Sequence, residues 1–175
     1  MIGPDGKRCN VIVTGGSRGI GLAVACRLAS QNYRVLAVAR QMSEGLAAAI
    51  AENRESCSLH FVPFDLGQIE AIPDLVRRVR AEFGAIYGLV NNAAVGHNGV
   101  LATMHNAEIE RLVRLNTHSP IVLTKYVVRH MLAERRGRIV NIASINAFTG
   151  YSGLSVYGGT KASIISFTRS LAREV

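Results

Sequence analysis

Short apolar runs alternate with amphipathic stretches along most of the chain. Val11, Ile12 and Val13 form the first run, and similar runs recur near Val35, Phe61, Leu89 and Val140. They predict strands at about 10–14, 34–39, 58–64, 87–91 and 138–143, the last read as a buried strand. Between them, helical periodicity predicts helices at about 20–31, 43–53, 73–83, 106–133 and 156–175. The fourth helix is expected to break near Pro120, Ser43 suits an N-cap, and Pro73 suits a first helical turn. Apolar strands alternating with helices imply parallel pairing through right-handed crossovers. The expected fold is α/β, a doubly wound parallel sheet of order 3-2-1-4-5 in one domain over residues 1–175. A crevice is expected where that order reverses, between strands 1 and 4.

Candidate chemistry sits at the strand ends. The first strand runs into Thr14, Gly15, Gly16, Ser17, Arg18, Gly19, Ile20 and Gly21, and then into helix-prone sequence from Leu22 to Ala29. Strand, glycine turn and helix is the setting in which a helix N-terminus faces a pyrophosphate. Gly15 allows the tight turn, Gly19 lets backbone approach the phosphates, and Gly21 lets helix pack on strand. Near the other end, Tyr157 and Lys161 stand four residues apart, one turn along one helical face. An ammonium there favours phenolate and draws the tyrosine towards proton transfer near neutrality. Ser144, thirteen residues before Tyr157, ends the last strand-like run and can point a hydroxyl into the cleft.

The G-x-x-x-G-x-G spacing, taken with Ser144, Tyr157 and Lys161, resembles the short-chain dehydrogenase/reductase family over almost the whole chain, most closely its 3-oxoacyl-[acyl-carrier-protein] reductases and carbonyl reductases. Asn91, Asn92 and Ala93 match the family's Asn-Asn-Ala-Gly motif, with Ala94 in place of its glycine. Asp65 falls where the family holds the adenine, and Asn116 where it keeps a catalytic asparagine. The resemblance implies a Rossmann fold and nicotinamide-dependent hydride transfer. It makes Asn116, Ser144, Tyr157 and Lys161 catalytic, with Asn116 holding a water in a proton path behind Lys161. Gly15, Ser17, Arg18, Gly19, Ile20, Gly21, Arg40, Asp65, Leu66, Asn92, Ala93, Tyr157 and Lys161 would then hold the cofactor.

The second strand ends at Ala39 and Arg40 with no carboxylate to grip a ribose 2′-hydroxyl. Arg40 and Arg18 suit a 2′-phosphate, so NADP(H) is the expected cofactor. The expected reaction interconverts a carbonyl and a secondary alcohol, with 3-oxoacyl thioesters, free or carried on an acyl-carrier protein, as the leading substrate. Sugar, polyol or steroid alcohols are the alternative, as is a dinucleotide-binding fragment without turnover. Phe148, Tyr151 and Leu154 are candidates to line the substrate pocket, and His97 is a candidate for the cleft. In this family the helices near 106–133 and 156–175 form a dimer contact, so a homo-oligomer is expected.

Composition narrows this further. The formal charge is +8, with arginine clusters at 77–80 and 135–138. No aromatic residues interleave with them, so they read as solvated helix faces rather than a nucleic-acid platform. There is no membrane-length apolar run and no signal-peptide core; residues 1–10 read as a loose lead-in. Three widely spaced cysteines, Cys9, Cys26 and Cys57, suit a reducing cytoplasm, with Cys26 as a small core residue. The five histidines lack metal-ligand spacing. The last helix runs uncapped to Val175, whereas the family continues through two further strands, so a fragment or shortened form is expected.

Overall fold

A computed structural model describes residues 2, 6, 8–54 and 58–175. Cys57 and half of the expected lead-in, residues 1, 3–5 and 7, lie outside the described residues. Within the lead-in, Ile2 forms an antiparallel bridge with Arg8.

The strands are β1 (Asn10–Thr14), β2 (Arg34–Ala39), β3 (Leu59–Pro63), β4 (Ile86–Asn91) and β5 (Arg138–Asn141). All four pairings are parallel and the order is β3-β2-β1-β4-β5, as the sequence pattern predicts. The helices are α1 (Gly19–Ser30), α2 (Glu44–Glu52), α3 (Ile72–Phe83), α4 (Asn106–Val113), α5 (Ser119–Ala133) and α6 (Ser155–Glu174). Ser43 caps α2 by accepting from the Leu46 amide, and Pro73 sits in the first turn of α3. Two apolar layers sandwich the sheet. One joins Ile12, Leu36 and Leu89 to α3 and α5; the other joins Val13, Ala37 and Val90 to α1 and α2. This is the doubly wound Rossmann arrangement, and β1 is buried along its whole length. Cys26 packs against the second layer, and burial is the first cause pushing its thiol pKa up.

One expectation is met and one needs correction. The fourth helix breaks near Pro120, at residues 114–118. A π turn, Arg114–His118, joins α4 to α5, and Pro120 sits in the first turn of α5. β5 is not buried: Arg138 and Val140 are exposed, Val140 by 50%. Val140 faces the α1 side of the sheet, and among the described residues no helix covers that face beyond β4.

The arginine clusters also depart from a plain solvated face. Arg77 pairs with Asp74 at the surface, at 2.6 Å. Arg136, however, lies 4.7 Å from the Tyr87 ring centroid and donates to Cys9 Sγ at 3.2 Å. Tyr33 stacks against Tyr87 in turn. This clasp at the amino-terminal edge of the sheet is a packing role, a guanidinium on an aromatic face. Among the described residues no helix is long and apolar enough to cross a membrane.

Candidate active site

In a parallel sheet every strand ends on the same edge, so the segments that follow β1, β2, β4 and β5 meet above the carboxyl ends. Gly15 and Gly19 both have positive φ, 65° and 55°, which glycine adopts without strain. Gly21 is fixed by contact: an added Cβ would lie 2.2 Å from the Gly15 carbonyl oxygen. At Gly19 the same Cβ would meet nothing within 4 Å, so the mouth of the turn is open. Arg18 is the N-cap of α1 but supplies no side-chain acceptor to its first turn. Amides at that helix end are available to an anion, so the residues fit a dinucleotide pyrophosphate.

Thr14, unmarked in the sequence reading, locks the turn to β4. Its hydroxyl donates to Val90 O and accepts from the amides of Asn92 and Ala93, at 2.9 and 3.0 Å. Asn92 Nδ2 donates to Thr14 O at 2.9 Å and reaches Gly15 O at 3.4 Å. The Asn92 amide is therefore spent on holding the glycine turn. Asn91 points the other way, donating to Thr124 Oγ1 on α5 and to Asn141 Oδ1 on β5.

At the β2 end, Arg40 and Arg18 are both exposed, while Ser43 donates to the carbonyl of Ser17. That bond ties the β2–α2 loop to the glycine turn and brings the segments carrying the two arginines together. Asp65 lies two residues beyond β3 and accepts the Gly67 amide at 2.9 Å; Leu66 is buried beside it.

Around β5, Ser144 falls three residues past the strand rather than ending it, and caps a short 3-10 turn. Its Oγ accepts the Asn146 amide at 3.2 Å, which leaves its hydrogen free to be donated. Lys161 is only 5% exposed. Its Nζ donates to Ile142 O at 2.8 Å and sits 5.9 Å from the Tyr157 ring centroid. Asn116 is buried in the π turn, a distortion that often marks functional sites. Its Oδ1 accepts the Val95 amide, and its Nδ2 donates to Val95 O and to Thr160 Oγ1. Both amide hydrogens are thus used within the protein, so a water could meet this side chain only at the second lone pair of Oδ1.

Of the three candidates to line the substrate pocket, two share a groove and one does not. Tyr151 and Leu154 line an open groove of about 410 Å³ with Gly158, Gly159 and Ala162, but Ser144, Tyr157 and Lys161 do not line it. Phe148 is 73% exposed and lies outside it. The reason is helical phase: Gly158 and Ala162 present a different face of α6 from Tyr157 and Lys161. His97 sits in the segment after β4, its Nδ1 3.5 Å from Glu108 Oε2. The same segment is joined to the loop before α6 by Gly99 donating to Gly153 O.

A sequence profile described as short chain dehydrogenase matches residues 9–175. The chain belongs to the short-chain dehydrogenase family. It is 38% identical over 168 residues to the 3-oxoacyl-[acyl-carrier-protein] reductase of Escherichia coli strain K12, covering 94% of this chain and 66% of that protein. It is 36% identical to the L-xylo-3-hexulose reductase of Hypocrea jecorina, covering 94% of this chain and 61% of that protein. Among solved structures it is similar to a metagenomic short-chain oxidoreductase in complex with NADP, with a TM-score of 0.89 and 34% identity, covering 96% of this chain and 76% of that one. The chain therefore spans somewhat under two thirds of the length of these first two curated relatives.

Burial of Lys161 has a measurable consequence. Desolvation pushes its pKa below the ordinary 10.5. Between the folded value and the unfolded value near 10.4, the unfolded chain binds the proton more tightly, so stability rises with pH through that window. The gain is complete above the unfolded value and is lost as pH falls through the folded one. Urea midpoints of wild type and Lys161→Met, compared at about pH 7 and about pH 10, isolate this effect. The wild type is expected to gain on the variant at the higher pH; a constant or shrinking gap would contradict the burial.

Proposed function

We propose that the protein is an NADP(H)-dependent oxidoreductase that interconverts a carbonyl and a secondary alcohol. The observation that carries this reading is the buried Lys161 ammonium, held by Ile142 O and lying 5.9 Å from the Tyr157 ring centroid, on the sheet edge that also carries the glycine turn. When bound, the nicotinamide supplies or accepts the hydride. In reduction Tyr157 gives its phenolic proton to the substrate oxygen, and in oxidation it takes that proton back. Lys161 sets a positive charge beside the phenol. Ser144, its oxygen lone pair engaged by Asn146, donates its hydrogen to the substrate oxygen and stabilises charge there. Asn116 holds the Val95 segment against α6, so its part is support of the site rather than contact through its amide hydrogens. Gly15, Ser17, Arg18, Gly19, Ile20 and Gly21 would hold the pyrophosphate end and Asp65 and Leu66 the adenine end, while Asn92 and Ala93 keep the turn in place.

For the cofactor, Arg40 and Arg18 favour a 2′-phosphate, and the NADP-bound neighbour agrees with that choice. Arg40→Asp is expected to weaken NADPH roughly 10- to 100-fold while changing NADH much less, the size of a lost charge-assisted contact. Titration of both nucleotides checks it; equal NADPH and NADH affinity in the wild type would defeat the NADP(H) assignment.

The substrate class we infer is a 3-oxoacyl thioester, including one carried on an acidic acyl-carrier protein, for which the +8 charge supplies attraction. The support is the Escherichia coli relative, and the hexulose reductase is the reason sugars remain the second reading. NADPH consumption measured in parallel with acetoacetyl thioesters and with ketoses separates them. Self-association through α4–α5 and α6 belongs to the same proposal.

A further inference from the structure

Thr160 lies between Tyr157 and Lys161 in sequence and is almost fully buried, at 4% exposure. Its hydroxyl donates to the carbonyl of Tyr157 at 2.7 Å and accepts from Asn116 Nδ2 at 3.3 Å. One hydroxyl thus bonds both the helix of the tyrosine and lysine and the π turn of the asparagine. The next residue of the π turn repeats the contact one turn along α6. Thr117 Oγ1 and Ser163 Oγ are 3.1 Å apart, and Ser163 donates back to Thr160 O at 2.7 Å. Asn116 in turn grips Val95 by both its amide and its carbonyl, at 2.8 Å each. The chain of bonds runs from the segment after β4, through the π turn, into α6. Neither a π turn nor a back-bonded threonine is the cheapest backbone arrangement on its own. Here both meet at one junction, and that junction is made by the residue that precedes Lys161 in α6.

We propose that Thr160 is a positioning residue: its hydroxyl couples Asn116 to the first turns of α6 and so fixes where Tyr157 and Lys161 stand relative to the segment after β4. The proposal rests on the oxidoreductase reading for its kinetic consequence, but not for its structural one. With the hydroxyl gone, Asn116 keeps Val95 but loses its hold on α6, and the Tyr157–Lys161 pair gains freedom while the glycine turn, more than one element away, does not.

The test compares wild type, Thr160→Val, Thr160→Ala and Thr160→Ser in the purified protein. Valine keeps the shape without the hydroxyl, alanine guards against a methyl that packs badly, and serine keeps the hydroxyl. Two readouts are taken: kcat and KM for NADPH-driven reduction, and amide hydrogen exchange without nucleotide. Valine and alanine are expected to lower kcat roughly three- to tenfold, the reach of one buried hydrogen bond, with KM for NADPH unchanged within about twofold. Exchange should quicken at Val95 and over residues 158–164, and not at residues 15–22. Serine should restore both readouts. Wild-type exchange in the valine and alanine variants, or a serine variant as impaired as valine, overturns the proposal. If the wild type shows no turnover at all, the oxidoreductase reading fails while the exchange readout still decides the coupling.

Discussion

Tyr157→Phe removes about 10²–10⁴-fold of the carbonyl-reducing rate and leaves NADPH affinity within about twofold. The asymmetry follows from where the hydroxyl stands. The ring itself is half-buried at the start of α6, and its face lies 5.9 Å from the Lys161 ammonium. Phenylalanine keeps that ring and its packing, so α6 and Lys161 stay where they are. What disappears is the only phenolic proton on the first turn of α6. Single-turnover reduction with saturating NADPH measures the chemical step directly, and fluorescence titration of NADPH measures the binding. A variant that keeps a tenth or more of the wild-type rate would mean that another group delivers the proton. A variant that loses NADPH binding would mean that the tyrosine serves the fold of the pocket instead.

Much of this site is readable along the chain because its determinants are local. The glycine turn needs positive φ at Gly15 and Gly19 and a missing side chain at Gly21, and those demands select glycine at fixed spacing after a strand. Tyr157 and Lys161 share a face because helices repeat every 3.6 residues, and Ser43 caps α2 because a serine hydroxyl satisfies an early amide. The strand order follows from the alternation of elements and the handedness of their crossovers.

What the chain hides is long-range. Thr14 is held through Val90, Asn92 and Ala93, residues 76 to 79 positions further on and three β-α crossovers away, and a threonine at the end of a strand carries no mark of that. Arg136 looks like one more solvated charge until Tyr87, on β4, and Cys9, just before β1, arrive beneath it. Pro120 marks a break near Arg114–His118, but nothing in the sequence says that the break is a π turn; the extra residue shows only once Asn116 is drawn towards Val95 and Thr160. The exposure of Val140 misleads in the opposite direction. Its run is as apolar as that of a central strand, and the number of neighbouring strands and helices, not the run itself, decides burial.

Gly21→Ala should cost both stability and nucleotide binding. An ideal Cβ there would stand 2.2 Å from Gly15 O, 2.5 Å from Asn92 Nδ2 and 2.8 Å from the Gly15 carbonyl carbon. Two of those atoms are backbone, and the third is an amide already holding Thr14 O. Relief therefore needs α1 to lift from β1 or Asn92 to leave its carbonyl, and either route opens the turn. Overpacking of this kind costs about 1–3 kcal/mol, and a buried acceptor left bare adds about 1–3 kcal/mol more. NADPH binding is expected to fall at least tenfold, because the first-turn amides of α1 move with the helix. Gly159→Ala is the matched control. That position lies in α6 with nothing within 4 Å of an added Cβ, so alanine there should be neutral or stabilise by roughly 0.5–1 kcal/mol through helix propensity alone. Urea unfolding and NADPH titration of the two variants side by side give the answer. If Gly21→Ala matches Gly159→Ala in both, the turn yields to a side chain without cost, and the close contact between α1 and the glycine turn is not what shapes the nucleotide site.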